Sequence, residues 1–149
     1  EEGQLVVWTW HRGMTQVLQQ HFTALLIDGS VTPTQRQTAV DRFVRGEQRV
    51  LVGQIRAAGT GVDGLQVASA CVFTELCWRP GDILQAEDRL HRIGQQEVVN
   101  AFYLISPHTI EERLCDVIQR KQGILSTVLD GQVNEDQGLQ VWSQLLEVL

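Results

Sequence analysis

Five short apolar runs alternate with segments of helical spacing, and this alternation restricts the fold more than any other feature of the chain. The runs are Leu5 to Trp8, Ala24 to Ile27, Val50 to Val52, Ala70 to Phe73 and Val98 to Ile105. Between them lie Met14 to Phe22, Pro33 to Val44 and Asp82 to Ile93. The runs are continuously apolar rather than alternating, the pattern of strands covered on both faces. Strand and helix taking turns predicts an α/β fold, a parallel sheet joined by right-handed crossovers. Such a sheet presents ligands at the carboxyl ends of its strands. Thr109 to Leu129 has the length and pattern of a further helix, with Ser106 or Thr109 as its cap. A polar break at Asp130-Gly131 precedes an amphipathic tail containing Val141, Trp142, Leu145, Leu146 and Leu149.

The 149 residues, 43% of them hydrophobic, are enough for one domain with a sizeable core. No run approaches the roughly 18 apolar residues of a membrane helix, and the amino terminus lacks the basic and apolar regions of a signal peptide. The expectation is an intracellular protein that makes no membrane contact. Cys71, Cys77 and Cys115 are odd in number and lack C-x-x-C spacing, so reduced core thiols are expected and a metal site is not. The formal charge of −6 argues against strong general affinity for nucleic acid, although Glu135, Asp136 and Glu147 of the tail account for half of it. Of the 12 basic residues 11 are Arg and one, Lys121, is Lys. Arg suits bidentate phosphate contacts, and the same bias is produced by genome composition.

A sheet of this kind raises the question of a phosphate-binding loop. The G-x-x-x-x-G-K-[ST] pattern is absent, because Lys121 is followed by Gln122. No Asp-Glu pair is present to hold magnesium. The chain is therefore not a self-sufficient NTPase of the usual kind, and isolated it should not hydrolyse ATP. It does carry Gln85-Ala86-Glu87-Asp88-Arg89-Leu90-His91-Arg92-Ile93-Gly94-Gln95, directly after Trp78-Arg79-Pro80-Gly81. With Pro80 near the start and Asp82 as a capping candidate, a helix through Ile93 is predicted. Gln85, Arg89 and Arg92 then fall within about 60° of one another, while Ile83, Ala86 and Leu90 face the sheet. Spacing alone favours an ordinary solvated face whose ion pairs are worth a few tenths of a kcal/mol.

The run from Gln85 to Gln95 resembles motif VI of helicase superfamily two, in the form Q-A-x-D-R-x-H-R-I-G-Q of the Swi/Snf DNA translocases. Other matches follow in order. Val6-Val7-Trp8-Thr9-Trp10 is similar to the motif IV strand, and Ile27-Asp28-Gly29-Ser30 with Arg36 and Phe43 to the family's D-G-S, Arg and Phe pattern. Gln54-Ile55-Arg56-Ala57-Ala58-Gly59-Thr60-Gly61 resembles motif V, and Thr109-Ile110-Glu111-Glu112-Arg113 the start of the bracing helix. After motif V, Gly61-Val62-Asp63-Gly64-Leu65 is one residue longer than the family's Gly-Leu-Asn-Leu. Phe73 to Pro80 resembles the annealing-helicase branch and its bacterial relatives more than the nucleosome remodellers. The implied fold is the second RecA-like lobe, of P-loop NTPase type, spanning residues 1–131 with its bracing helix, followed by an acidic helical tail over 132–149.

That resemblance implies a division of labour. A first RecA-like lobe, outside these residues, would carry the P-loop and the magnesium, with ATP in the cleft between lobes. Arg92 and Arg89 would act as arginine fingers, Gln85 would orient nucleotide or water, and Asp63, supported by Gly61, would meet the ribose. Backbone phosphates of double-stranded DNA would be met by His11 and Arg12 after the first strand, Gly29 and Ser30 after the second, and Arg56 with Ala57 after the third. Gly29 also fits a simple turn, Ser30 or Thr32 a helix cap, and His11 a loop hydrogen bond. Trp8 and Trp10, on one side of a strand, are expected in the core, with Trp78 supporting the loop before motif VI. The acidic tail is a candidate for a protein partner. The alternatives are a lobe of an RNA helicase, from which His91-Arg92-Ile93-Gly94-Gln95 points away, and a helicase-derived interaction module without catalysis. Cytoplasmic placement is expected in a bacterium or phage, and nuclear placement in a eukaryote. The start at Glu1-Glu2-Gly3, almost on a strand, suggests a piece of a longer chain.

Overall fold

The structure, a computed structural model, describes residues 3–58, 62–116 and 118–119. Five strands form one sheet: β1 (Leu5–Thr9), β2 (Leu25–Ile27), β3 (Val50–Gln54), β4 (Ala70–Phe73) and β5 (Asn100–Tyr103). Their order is β2-β3-β1-β4-β5 and every pairing is parallel. Parallel neighbours need crossovers. These are supplied by α1 (Arg12–Phe22), α2 (Pro33–Val44), α3 (Ile55–Ala58) followed by a 3-10 turn at Leu65–Val67, and α4 (Pro80–Asp88). The chain thus confirms the α/β parallel architecture expected from its hydrophobic pattern.

β1 lies at the centre of the sheet, and Val6, Trp8 and Thr9 on it are fully buried. Trp8 pairs in register with Gly53 on β3 and Phe73 on β4. A Cβ on Gly53 would lie 2.5 Å from the Trp8 ring, so the indole occupies the space a side chain would need. Leu51 and Ile27 on neighbouring strands, Phe43 from α2 and Ile83 and Leu90 from the α4 segment complete the core, all fully buried. Two hydroxyls join the centre to α1. Thr9 Oγ1 and Thr15 Oγ1 are 2.6 Å apart, and Thr15 Oγ1 donates to the carbonyl of His11 at 3.0 Å. α2 starts with a capping box: Gln35 N–H donates to the Thr32 hydroxyl, and Thr32 N–H to the Gln35 side chain, with Pro33 in the first turn. Thr32, not Ser30, is therefore the cap.

Three expectations are corrected. The helix expected through Ile93 ends at Asp88, so Arg89 and Arg92 lie beyond α4 and do not share a helical face with Gln85. Asp82 sits inside the first turn of α4, not ahead of it. The last strand is limited to Asn100–Tyr103 and stands at the sheet edge, with Asn100, Ala101 and Phe102 exposed. Val98, Phe102 and Leu104 are all more than half exposed, so the apolar run from Val98 to Ile105 is not covered on both faces. Ile83, Ala86 and Leu90 are fully buried as predicted, because the apolar spacing survives the change from helix to turn.

The chain divides into two compact units, Glu1–Cys77 with Gly81–Ile105, and Trp78–Pro80 with Ser106–Leu149. Within the second, residues 110–116 are helical. The Thr109 hydroxyl accepts from Glu111 N–H at 3.2 Å and donates to the Ser106 carbonyl at 2.7 Å. Trp78 is 57% exposed and lines an open groove of about 590 Å³ with His108, Ile110 and Arg113. It belongs to this unit by contact. The helix expected to continue to Leu129 and the tail with Trp142 lie outside the described residues. Among the described residues Cys71, Cys77 and Cys115 are in no disulfide, and burial first, then the nearby Glu87 carboxylate, pushes the Cys71 thiol up to about 12.

Gly53→Ala tests the central fit. Overpacking against an immovable indole costs about 1–3 kcal/mol or more, so urea unfolding should show a matching loss of stability, and Gly3→Ala, where nothing lies within 4 Å, should show none.

Candidate functional site

Because all strands run the same way, the segments after β1, β2 and β3 emerge on one edge of the sheet, and these strands are neighbours. His11 and Arg12, Gly29 and Ser30, and Arg56 with Ala57 are thereby gathered on that edge. The side chain of Ala57 is buried, so at that position only the backbone is available to a ligand. Gly29 has open space around its Cα, and the side chain of His11 is 73% exposed.

Two carboxylates to which the sequence alone assigns no contact hold this edge in place. Glu75, after β4, reaches across to the segment after β1. Its Oε2 accepts from the backbone N–H groups of Trp10 and His11, both at 2.9 Å, and its Oε1 accepts from His11 Nδ1 at 2.8 Å. The chain leaves β1 toward β2 and β3 but leaves β4 toward β5, so Glu75 spans the point where the topology switches direction. Burial works to raise its pKa, but the hydrogen bonds from His11 and Trp10 outweigh that and hold the carboxyl below its ordinary value. Asp28 plays the same part after β2. It is buried, and it accepts from Ser30 N–H at 2.8 Å and from the Ser30 hydroxyl at 2.5 Å. Burial again pulls its pKa upward, while the Ser30 bonds and the charge of Arg12 bring it below the usual carboxylate range. Ser30 thus gives both its amide and its hydroxyl proton to Asp28, and its part on this edge is to hold the turn that presents Gly29.

Trp10 lies one residue beyond β1, half-buried, with the Arg56 guanidinium 4.8 Å from the centre of its ring. The shared strand side expected for Trp8 and Trp10 therefore fails: Trp8 is core, and Trp10 is a platform for Arg56. Gln54 secures the platform by donating to the Trp10 carbonyl at 3.1 Å.

A second cluster gathers the charged residues expected to face a nucleotide. Arg92 Nη1 donates to Asp63 Oδ1, and Arg89 Nη1 stands 3.9 Å from the same oxygen. The Arg89 side chain is 14% exposed, whereas Arg92 and Asp63 are 43% and 74% exposed. Ion pairs this open are worth about 0–1 kcal/mol, so a stronger anion can take the place of the carboxylate. Gln85 is exposed on α4, away from the turn that carries the two arginines. Gly61 lies outside the described residues. Two guanidinium groups held around one carboxylate oxygen match the charge and planar donor geometry that phosphate recognition requires.

Residues 1–94 match the family described as helicase conserved C-terminal domain. The human DNA annealing helicase and endonuclease ZRANB3 is 38% identical over 132 residues, 85% of this chain and 12% of that protein. The Caenorhabditis elegans SWI/SNF-related matrix-associated actin-dependent regulator of chromatin subfamily A-like protein 1 homolog is 39% identical over 115 residues, 76% of this chain and 16% of that protein. The chain thus spans under a fifth of the length of these relatives. Among solved structures, the C-terminal part of the Fun30 ATPase domain superposes with a TM-score of 0.72 at 25% identity, over 76% of this chain and 38% of that one.

The Glu75 contacts make stability depend on pH. A carboxyl whose folded pKa is depressed stabilises the fold above its unfolded pKa of about 4.3, and that contribution disappears as pH falls through the lower folded value. Urea unfolding from pH 7 down to pH 3 should show Glu75→Gln about 1 kcal/mol less stable at neutral pH and the gap closing toward the acid end. A gap that widens on acidification would contradict the assigned direction.

Proposed function

Since the chain belongs to the helicase conserved C-terminal domain family, as a second lobe of Swi/Snf type, we propose that it completes the ATP site of a double-stranded DNA translocase whose P-loop lies on another lobe. The observation that carries this reading is the convergence of Arg89 and Arg92 on the exposed Asp63 carboxylate in a chain without a P-loop.

Phosphoryl transfer is accelerated mainly by positioning and by neutralising charge on the equatorial oxygens. Arg92, the more exposed of the two, is placed to leave Asp63 for a phosphate presented from outside, and Arg89 stays beside it. Asp63, released from that pair, would accept from a ribose hydroxyl, with Gly61 expected as its support. Gln85, on the exposed side of α4, would orient nucleotide or water. The acids that hold Mg²⁺ are expected on the first lobe, since no Asp-Glu motif is present here.

The sheet edge carrying His11, Arg12, Gly29, Ser30, Arg56 and Ala57 is the proposed surface for the DNA backbone. Its donors are mixed side-chain and backbone groups on three adjacent strand ends, with Ser30 holding its turn through Asp28, an arrangement that suits phosphates and carries no base readout. Closure around ATP and reopening would shift this edge along the duplex. The names of the relatives, a DNA annealing helicase and a regulator of chromatin, favour DNA over RNA and fit nuclear action in a eukaryote. The acidic tail is retained as a candidate contact for a protein partner.

In the two-lobed protein, Arg92→Ala should reduce DNA-stimulated ATP hydrolysis by about 10³- to 10⁵-fold, with ATP affinity changed far less, because the group acts on the transition state. Steady-state turnover with a separate nucleotide-binding titration separates the two quantities, and near-normal turnover would remove Arg92 from the reaction. The isolated chain should hydrolyse no ATP. It should bind unrelated duplexes weakly and alike, with a shallow salt dependence that Arg56→Ala lowers by about one in the log–log slope. Tight, sequence-selective binding by the chain alone would refute the motor reading.

A further inference from the structure

Arg92 stands beyond the end of α4, so the helix does not fix its place. It sits in a tight turn in which Leu90 and His91 N–H donate to the Glu87 carbonyl, Gln95 N–H donates to the Arg92 carbonyl at 3.0 Å, and Gly94 takes a φ of 104°. The side chain of Ile93 is fully exposed and holds nothing. The fully buried Leu90 anchors the start of the turn. Its far end is anchored by the side-chain amide of Gln95.

That amide uses its full bonding capacity. Nε2 donates to the Ala68 carbonyl at 2.9 Å and to the Leu90 carbonyl at 3.5 Å, and Oε1 accepts from the N–H groups of Gln96 and Glu97 at 2.9 and 3.0 Å. Ala68 closes the segment that begins at Asp63. That segment is itself pinned by the fully buried Leu65 and by Gln66 Oε1, which accepts from Gly64 N–H at 3.0 Å. The same two segments are therefore joined twice, once by Gln95 to Ala68 and once by Arg92 to Asp63. From this we infer that Gln95 is the positioning residue for Arg92: it sets the distance between the turn that carries the arginine and the segment before β4 that carries Asp63. The inference rests on the reading of Arg92 as the phosphate-facing group.

Only a neutral amide fits the position. A carboxylate of the same shape loses both donors and faces two carbonyl oxygens, and a thioether of similar length loses every hydrogen bond. Misplacement by about 1 Å can cost on the order of 100-fold in rate, so Gln95→Glu in the two-lobed protein should lower kcat for DNA-stimulated hydrolysis about 10- to 100-fold, with KM for ATP little changed. The deciding measurement is the double variant. If Gln95 acts through Arg92, then Gln95→Glu removes nothing further from kcat in an Arg92→Ala background. A residue that only holds the fold would lower both backgrounds alike. Gln95→Met, which is neutral, is measured beside it, and both are checked by thermal unfolding. Full activity of Gln95→Glu and Gln95→Met beside an inactive Arg92→Ala, or losses that add, overturn the inference while leaving the arginine reading intact. Unfolding of both variants makes Gln95 a stability residue and overturns it as well. Near-normal turnover of Arg92→Ala overturns the arginine reading and this inference together.

Discussion

The indole of Trp8 lies across the backbone of Gly53, in the volume a side chain would need, at the middle of a sheet in which every strand runs the same way. This contact brings β1 and β3 together in one register. A slip would place the ring against a residue that has a Cβ. Because β1 is central, its register passes to β2 through β3 and to β5 through β4. The positions at which the chain leaves each strand, and therefore the places of His11, Gly29 and Arg56, follow from that register. The edge that carries the proposed chemistry is a consequence of core packing several residues away.

On that edge, order is maintained by short hydrogen bonds to carboxylates. Glu75 collects two backbone N–H groups and a ring nitrogen, and Asp28 collects the amide and hydroxyl of Ser30. Both carboxyls are held ionised against the pull of burial, as is expected when bonds to the charged form outweigh desolvation. The arginines differ. Arg56 rests on a ring face, and Arg92 on an exposed carboxylate, contacts of low strength in water. Loops are firm and their cationic tips are loosely held, an arrangement that lets the tips change partners without disturbing the backbone beneath.

Much of the site was legible because motif residues are placed by short-range rules. Thr32 and Pro33 announce a helix start, and Ile83, Ala86 and Leu90 announce a buried side whether the backbone is helical or turned. The same local reasoning failed where the determining contact is distant in sequence. Nothing in the run from Gln85 to Gln95 discloses that the helix stops at Asp88, since propensity would carry it further. The turn is held by Gln95 reaching Ala68, 27 residues away. Glu75 reads as an ordinary acidic residue after a strand, and its role depends on the backbone of Trp10, 65 residues earlier. Trp10 was misplaced for the same reason, because strand periodicity does not show where the strand ends.

The amino-acid sequence by itself determined the fold class, the family and the identity of the charged residues. Those depend on hydrophobic period, glycine and proline positions and motif order, all of which are properties of neighbouring residues along the chain. The tertiary structure alone decided that Asp63 meets both arginines, that Arg56 lies on Trp10, and that Glu75 ties the segment after β4 to the segment after β1. Each of these joins segments separated by tens of residues. Their distance is set by the register and order of parallel strands, and strand order depends on how helices and sheet faces bury one another rather than on any local preference.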